Sequence, residues 1–301
     1  MLGRRGPPCS QLAVRALTQP EGSRRPGGRL EVHVASHKRR RGRAFDVVHV
    51  RLLEARRRRR VTTSEILHLG EHADRVRAVD RLVRGEVLAS GFNGIYVLLG
   101  DADDPSVPEK VALAKRRPQA KGVALVCPPE FLGEHVNLAT RALREDYPLA
   151  RVQALQRGLH ALGVILPAAM PGAPGHVVQS GTILNVWTEQ PPNAPLRQLV
   201  RELRRRGKRA LAGTSANLSG KPTITDADEV IAVFGQHVST ILIEDFHEVP
   251  SRRRRSATIV DFTQPQPHLF REGSVPAAEL AAELRRLRLG ELVIGADVRR
   301  V

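Results

Sequence analysis

The sequence has two cysteines, few aromatic residues and no long apolar run. Cys9 and Cys127 are too few for a disulfide framework and lack the spacing of metal ligands, which is typical of a protein in a reducing compartment. The longest apolar candidate, LGVILPAAMPGAPG, contains three prolines and falls short of the roughly 18–20 residues that cross a membrane. We therefore predict a cytoplasmic protein with no metal site of its own and no membrane contact.

Aromatic residues make up only 3% of the chain, while apolar residues as a whole make up 41%. A chain of 301 residues can bury a substantial core, so this core must consist mainly of Leu, Val, Ile and Ala. The same scarcity limits stacking on nucleic-acid bases. Any RNA binding is therefore expected to be largely independent of sequence.

Positive charge is abundant, with a formal net charge of +17 and a pI of about 11.3. Such an excess attracts polyanions, although an Arg-rich composition can also spread charge over a whole surface. Basic runs at residues 38–43 and 56–60 lack periodicity and predict a mostly disordered basic arm over residues 1–60. The Arg-rich, acid-poor N-terminus also leaves an organellar transit peptide open as an alternative.

From residue 63 the pattern becomes globular. HADRVRAVDRLVRG, PLRQLVRELRRRGK and PEFLGEHVNLATRALREDY predict helices, and residues 225–228 resemble a helix start with an acidic first turn. Strands such as GVALVC, TILIED and ATIVDF alternate with helices without a strict βαβ rhythm. We predict an α/β domain on a mixed sheet flanked by helices over residues 63–285, followed by a short tail, 286–301.

Two segments could bind anions. GTSANLSGKPT, residues 213–223, lies between a predicted strand and a helix N-terminus, a junction that often receives phosphate, although a polar loop with Asx and Ser turns is the structural alternative. In Lys115-Arg116-Arg117-Pro118 the proline favours extended geometry. Lys115 and Arg117 would then share one side and clamp a triphosphate. The alternative is the basic C-terminus of a helix.

Together with a later TIVD…REG, these segments resemble the YrdC-like family of threonylcarbamoyl-AMP synthases in order and spacing. The family's S-A-N-x-S-G-x-P motif corresponds to SANLSGKP, and its K-x-R-P motif to KRRP. The resemblance spans about residues 72–285 and implies a twisted mixed α/β sheet. It also implies that ATP is bound by Lys115, Arg117, Ser215, Asn217 and Arg271.

The resemblance further implies a reaction that joins threonine, bicarbonate and ATP into threonylcarbamoyl-AMP, which feeds the tRNA modification t6A. The substrate pocket would include Asn93, Tyr96, Ser219 and Thr258. Mg²⁺ is expected to accompany the phosphates of ATP. No nucleophile–base signature stands out, and the chemistry needs none, so no catalytic residue is assigned.

The chain differs from the family's motifs at residues that are expected to form the substrate pocket. The family's P-T-[DE]-T-x-Y-G-L motif reads GFNGIYVL here, so Phe92 and Gly94 replace both threonines. The arginine of V-R-x-P is replaced by Trp187, and the serine of S-T-V-x-D by Ala257. A pocket that loses hydrogen-bonding hydroxyls is expected to change its selectivity.

A Gly-rich segment of the family reads SRRRRS at residues 251–256. These arginines either replace lost charge, bind RNA phosphate or form a solvated basic loop. Besides the synthase, two alternatives stay open: a relative that uses another amine, and a non-catalytic paralogue that binds a nucleotide or RNA. Contact with RNA or tRNA would be made through the basic arm and the basic face.

Overall fold

A computed structural model describes residues 64–117, 121–189, 195–244 and 249–300, so the predicted arm of residues 1–60 lies outside the described residues. One mixed sheet contains the twelve strands of this described part, which confirms the predicted fold class. The strands are β1 (Glu65–His68), β2 (Leu88–Phe92), β3 (Ile95–Asp101), β4 (Ala124–Val126), β5 (Leu162–Pro167), β6 (Val178–Gln179), β7 (Thr182–Trp187), β8 (Leu211–Ser215), β9 (Thr240–Ile243), β10 (Thr258–Asp261), β11 (His268–Glu272) and β12 (Val293–Arg300).

The strand order is β1-β9-β2-β3-β8-β4-β7-β5-β10-β11-β12, with β6 paired to β7. Five neighbouring pairs are parallel: β1 with β9, β2 with β9, β4 with β7, β5 with β10 and β11 with β12. The other pairs are antiparallel. Strand β8, which begins the GTSANLSGKPT segment, therefore lies inside the sheet between β3 and β4.

Six α-helices occur in the described residues: α1 (His72–Val83), α2 (Val107–Ala114), α3 (Leu149–Gly158), α4 (Pro195–Arg205), α5 (Ala227–Phe234) and α6 (Ala277–Arg286). Helix α5 begins at the predicted position, because the Asp226 side chain caps it by accepting the Glu229 N–H at 2.9 Å. None of the helices in the described ranges has the length and apolar character that crossing a bilayer requires.

The core forms two clusters on opposite faces of the sheet. Strand β3 contributes alternately to both, with Tyr96 and Leu98 on one face and Val97 and Leu99 on the other. Helices α1 and α4 cover one face, while α2, α3, α5 and α6 cover the other. Both clusters are dominated by aliphatic side chains, as the low aromatic content predicts.

The helix predicted over PEFLGEHVNLATRALREDY is wrong. The structure has a 3-10 helix at Pro129–Glu134 and one π-helical turn at Ala142–Asp146. Tertiary hydrogen bonds interrupt the helix between them, because Val136 forms a β-bridge with Ala168 and the Asn137 N–H donates to the Pro167 carbonyl at 2.9 Å. Local periodicity does not reveal these partners.

The chain end also differs in detail from the predicted tail. Residues 293–300 form β12, which pairs in parallel with β11. The Val293 N–H starts this pairing by donating to the Pro267 carbonyl at 2.9 Å. The last strand therefore completes one edge of the sheet.

Candidate functional site

The GTSANLSGKPT segment is a closed loop that starts and ends beside Tyr96. The Tyr96 carbonyl accepts the Ala216 N–H at 2.7 Å, and the Tyr96 N–H donates to the Ile224 carbonyl at 2.9 Å. Within the loop the Lys221 N–H donates to the Leu218 carbonyl at 3.0 Å, and Gly220 has a φ of +78°. A glycine at the third position of this four-residue turn suits a type II turn. The loop is therefore held by internal hydrogen bonds.

Lys115 reaches this loop from α2, a hundred residues earlier in the chain. Its Nζ donates to the Ser215 carbonyl at 2.8 Å and to Asn217 Oδ1 at 2.9 Å. The Ser215 hydroxyl donates to the same Oδ1 at 2.8 Å, and Asn217 Nδ2 donates to the Lys221 carbonyl at 2.7 Å. Three predicted ATP-binding residues thus form one hydrogen-bonded cluster, the Lys115 cluster (Lys115, Ser215 and Asn217). One of the three N–H groups of the ammonium remains available to a ligand.

Burial and nearby positive charges make the charged form of Lys115 less favourable than it is in water. The residue is only 5% exposed, and no carboxylate of the described residues pairs with it. Burial, with the charges of Arg117 and Lys121, lowers the pKa of Lys115 from its usual 10.5 to about 8. The group remains protonated at neutral pH. A buried cation without an anionic partner favours an anionic ligand.

The extended geometry expected before Pro118 is wrong for Lys115 and Arg116. Lys115 caps α2, and Arg116 has a φ of +51°. The Arg116 N–H returns to the Leu113 carbonyl and the Arg117 N–H to the Ala112 carbonyl, at 3.1 and 3.0 Å. This pair of hydrogen bonds is a Schellman motif with arginine in place of glycine. It ends α2 several residues before Pro118. Pro118 itself lies outside the described residues.

Arg117 nevertheless stays close enough to Lys115 for its charge to lower the pKa of Lys115. Its Nη2 donates to the Lys121 carbonyl at 3.2 Å, and its Nε is buried without a hydrogen-bond partner among the described residues. Burial lowers the pKa of Arg117 as well. Lys115 and Arg117, which were predicted to act together, therefore lie near each other. The helix end brings them together, and not an extended backbone.

The β2–β3 turn holds the predicted substrate residue Asn93. Asn93 and Gly94 have φ values of +51° and +80°, as a two-residue type I′ hairpin turn requires. The Asn93 side chain is buried, and its Nδ2 has no partner among the described residues. A Cβ on Gly94 would lie 2.6 Å from Arg254 Cγ and 2.9 Å from Val249 Cγ1. Arg254 therefore covers this turn.

The other predicted pocket residues differ in their surroundings. Tyr96 is fully buried in the core, where burial raises its pKa to about 12. Ser219 lies exposed in the loop. The Thr258 hydroxyl accepts the Gly273 and Val275 N–H groups and donates to the Val275 carbonyl, at 2.9, 3.0 and 2.6 Å. These backbone contacts fix the turn after β11, and the place of Thr258 in a substrate pocket stays a prediction.

Arg271, predicted near the nucleotide, lies on β11. Its Nε and Nη2 donate to the Ala257 carbonyl at 3.0 and 2.7 Å, and its pKa is lowered by burial and by the nearby charge of Arg299. The segment before β10 is joined to GTSANLSGKPT by a hydrogen bond of 3.1 Å between the hydroxyls of Thr223 and Ser256. This bond connects the start of β10 to the loop that contains Ser215 and Asn217.

The sequence interpretation missed a buried ion-pair group near the end of β7. Arg197 pairs with Glu189 and Glu130, and the indole N–H of Trp187 donates to Glu189 at 2.8 Å. The Arg197 guanidinium also lies over the Trp187 ring, 5.7 Å from its centroid. Trp187, noted in the sequence only as a missing arginine, is a fully buried core residue.

Residues 190–273 match the model of the Sua5_yciO_yrdC family, described as "Telomere recombination". This region includes the GTSANLSGKPT loop, the SRRRRS segment and Arg271. It leaves out Lys115 and the β2–β3 turn.

Two curated relatives are named threonylcarbamoyl-AMP synthase. The chain is 31% identical over 104 residues to a threonylcarbamoyl-AMP synthase of Pyrococcus abyssi, a match that covers 35% of this chain but only 29% of that protein. A threonylcarbamoyl-AMP synthase of Vibrio vulnificus is 27% identical over 179 residues, which cover 59% of this chain and 88% of the relative. The chain thus spans less than a third of the first relative and most of the second.

Among solved structures, Sua5 of P. abyssi in complex with L-threonine superposes with a TM-score of 0.60 at 20% identity. The superposition covers 77% of this chain and 62% of that chain. At this identity the likeness establishes the fold, and the threonine belongs to the archaeal protein.

Proposed function

We propose that the chain is a divergent member of the YrdC-like family that binds ATP at the Lys115 cluster and transfers the adenylyl group to a carbamoylated amino acid. The product would be threonylcarbamoyl-AMP or a close analogue, which serves the t6A modification of tRNA. The curated relatives support this activity class. The hydrogen bonds among Lys115, Ser215 and Asn217 support a retained nucleotide site.

The observation that carries the proposal is the buried ammonium of Lys115. Burial of this cation beside further positive charge is unfavourable in free energy, and no carboxylate among the described residues offsets it. Ser215 and Asn217 hold the ammonium in one position. A preorganised cation of this kind stabilises negative charge that develops on phosphoryl oxygens.

In the proposed reaction the amine nitrogen attacks the carbon of bicarbonate, and loss of water leaves a carbamate. A carbamate oxygen then attacks the α-phosphorus of ATP, the bond to the β-phosphate oxygen breaks, and pyrophosphate leaves with its electron pair. Lys115 and Arg117 would neutralise the phosphates and hold them in line for attack. Mg²⁺ brought by ATP would share this charge.

Calorimetry with ATP and Mg²⁺ tests the binding step. We expect Lys115→Met and Asn217→Ala to weaken ATP binding by about 10- to 100-fold, the range for a lost hydrogen bond to a charged group. Arg157→Met is the control, because Arg157 is an exposed cation of α3 with no contact to the cluster. Equal affinity in the wild type and both cluster variants would remove the site assignment.

Pyrophosphate release tests the chemistry. We expect release that requires both bicarbonate and an amino acid, with a panel of amino acids identifying the substrate. The Lys115→Met variant should lose most of this release. No release under conditions in which ATP demonstrably binds would refute the synthase proposal.

A second candidate, a non-catalytic nucleotide- or RNA-binding paralogue, is favoured by one observation at the substrate side. Arg254 covers the turn at Gly94, where the family's motif has threonine, so the side chain of a hydroxyl-bearing residue would have no room there. ATP binding without amino-acid-dependent release would support this candidate.

RNA contact is a separable proposal that rests on the distribution of charge. Residues 1–63 contain 17 of the 48 basic residues and only four of the 31 acidic residues, so most of the excess charge lies there. Binding to tRNA should fall steeply with salt, because phosphate contacts release counterions. A full-length variant with residues 56–60 changed to glutamine should bind more weakly and with a smaller salt dependence. Unchanged affinity would exclude this run as the contact.

A further inference from the structure

Four consecutive arginines, residues 252–255, lie in the segment 251–256, which we call the arginine loop. Two of them anchor it. Arg253 makes two hydrogen bonds to the Glu279 carboxylate on α6, at 3.2 and 2.9 Å. Arg254 Nε donates to the Val249 carbonyl at 3.0 Å, and its side chain packs over Gly94. The loop also begins with one 3-10 turn, Ser251–Arg253, so its backbone is well fixed.

The side chains of the other two arginines, Arg252 and Arg255, are exposed and make no hydrogen bond or ion pair with any residue in the described ranges. Both line a surface pocket of about 340 Å³, together with Gly273, Ser274 and neighbouring residues at the end of β11 and just before α6. The two central arginines therefore anchor the loop, while the two outer ones present unpaired guanidinium groups. Anchoring of the backbone lowers the entropic cost of ordering the loop around a ligand.

The pocket floor offers few other donors. The Gly273 and Ser274 N–H groups each make a hydrogen bond of 2.9 Å inside the protein. The Ala277 N–H, at the start of α6, donates to Glu272 Oε1 at 2.9 Å. Recognition of an anion must therefore come from the two guanidinium groups. A guanidinium pairs with phosphate oxygens through two parallel hydrogen bonds.

We propose that Arg252 and Arg255 form a binding site for a compact polyphosphate anion. This inference deepens the proposed function, because that function would supply such an anion as a nucleotide tail or as released pyrophosphate. A compact anion fits better than a nucleic-acid backbone, since both unpaired arginines line one concave pocket of limited volume. The hydroxyl bond from Ser256 to Thr223 joins the site to the GTSANLSGKPT loop.

The test measures inorganic pyrophosphate binding by calorimetry in the full-length chain with Lys115→Met, so that the nucleotide site is already weakened. We expect this variant to retain pyrophosphate binding. Adding Arg252→Gln and Arg255→Gln should weaken it about tenfold for each arginine, the low end for hydrogen bonds between charged groups. Adding Arg157→Gln instead should have no effect. Circular dichroism checks that the exposed substitutions leave the fold intact.

Two results would overturn the inference. Pyrophosphate binding that is lost in Lys115→Met alone would assign the anion to the Lys115 cluster. Pyrophosphate binding that survives both glutamine substitutions while tRNA binding falls would make the loop an RNA contact. Failure of the proposed function is read separately, from ATP binding to the wild type.

Discussion

Gly94 is the position at which the structure makes its sharpest prediction. Replacing it with alanine adds one methyl group to a turn where the φ is +80° and where Arg254 and Val249 leave no room. Gly181 provides a matched comparison. It is the second residue of a similar two-residue turn between β6 and β7, with a φ of +78°, and an added Cβ meets nothing within 4 Å.

The two variants share one cost and differ in the other. A side chain held in the left-handed region costs roughly 1–2 kcal/mol in either turn. At Gly94 the new Cβ would also lie 2.6 Å from Arg254 Cγ, and overpacking of this kind costs about 1–3 kcal/mol. We therefore expect Gly94→Ala to lose roughly 2–5 kcal/mol of unfolding free energy and Gly181→Ala roughly 1–2 kcal/mol.

Urea unfolding followed by tryptophan fluorescence provides the measurement. The chain contains one tryptophan, Trp187, and it is fully buried. Under two-state conditions the shift of the midpoint at constant slope gives the difference in free energy. The pyrophosphate titration adds a functional reading, since Gly94→Ala should disturb the arginine loop and weaken anion binding while Gly181→Ala should not.

A double-mutant cycle identifies the clashing partner. If Arg254 lies over the turn, Gly94→Ala should cost less in an Arg254→Ala background, by about 1 kcal/mol or more. The gain is only partial because Val249 Cγ1 would still lie 2.9 Å from the new methyl group. Equal losses of stability at Gly94 and Gly181, or a cycle with no coupling, would refute the placement of Arg254.

Three further predictions follow from single residues. ATP affinity should fall as the pH rises through about 8, because the lowered pKa of Lys115 removes the ammonium charge there; titrations from pH 6.5 to 9.5 should show this fall in the wild type and not in Lys115→Met. Arg197→Leu should cost about 3 kcal/mol in urea unfolding, since it leaves two carboxylates beside the core without their cation, whereas Arg157→Leu should cost almost nothing. Asp226→Ala should cost about 1 kcal/mol through loss of the α5 cap, and Asp226→Asn should restore most of it.

The sequence predicted those parts of the fold that depend on local pattern. The apolar spacing of α1 and α4, the acidic start of α5 and the mixed order of strands all reflect neighbouring residues. The helix around residues 135–141 was mispredicted because a β-bridge from Val136 and a backbone bond from Asn137 come from a segment some thirty residues away. Contacts of this range leave no periodic signal.

The site was predicted unevenly for the same reason. Lys115 and Asn217 could be paired because their motifs resemble a family in which both contact one nucleotide. The backbone around Lys115 could not be predicted, since a Schellman end with Arg116 in the left-handed region is unusual for a non-glycine residue. The backbone contacts of Thr258 could not be predicted, because its partners, the N–H groups of Gly273 and Val275, are backbone groups that every sequence has.

The departures from the family motif are physically coupled in this structure. Glycine at position 94 makes the space that Arg254 fills, and the neighbouring Arg253 is held by Glu279. Arg252 and Arg255 carry unpaired positive charge. At position 187, where the family motif has an arginine, this chain has a buried tryptophan. The positions at which this chain lacks the motif's hydroxyl and cation therefore occur together with an anchored loop of four arginines. Because this loop presents unpaired positive charge beside the turn at Gly94, it supports the proposed anion site over the loss of all anion contacts on this side.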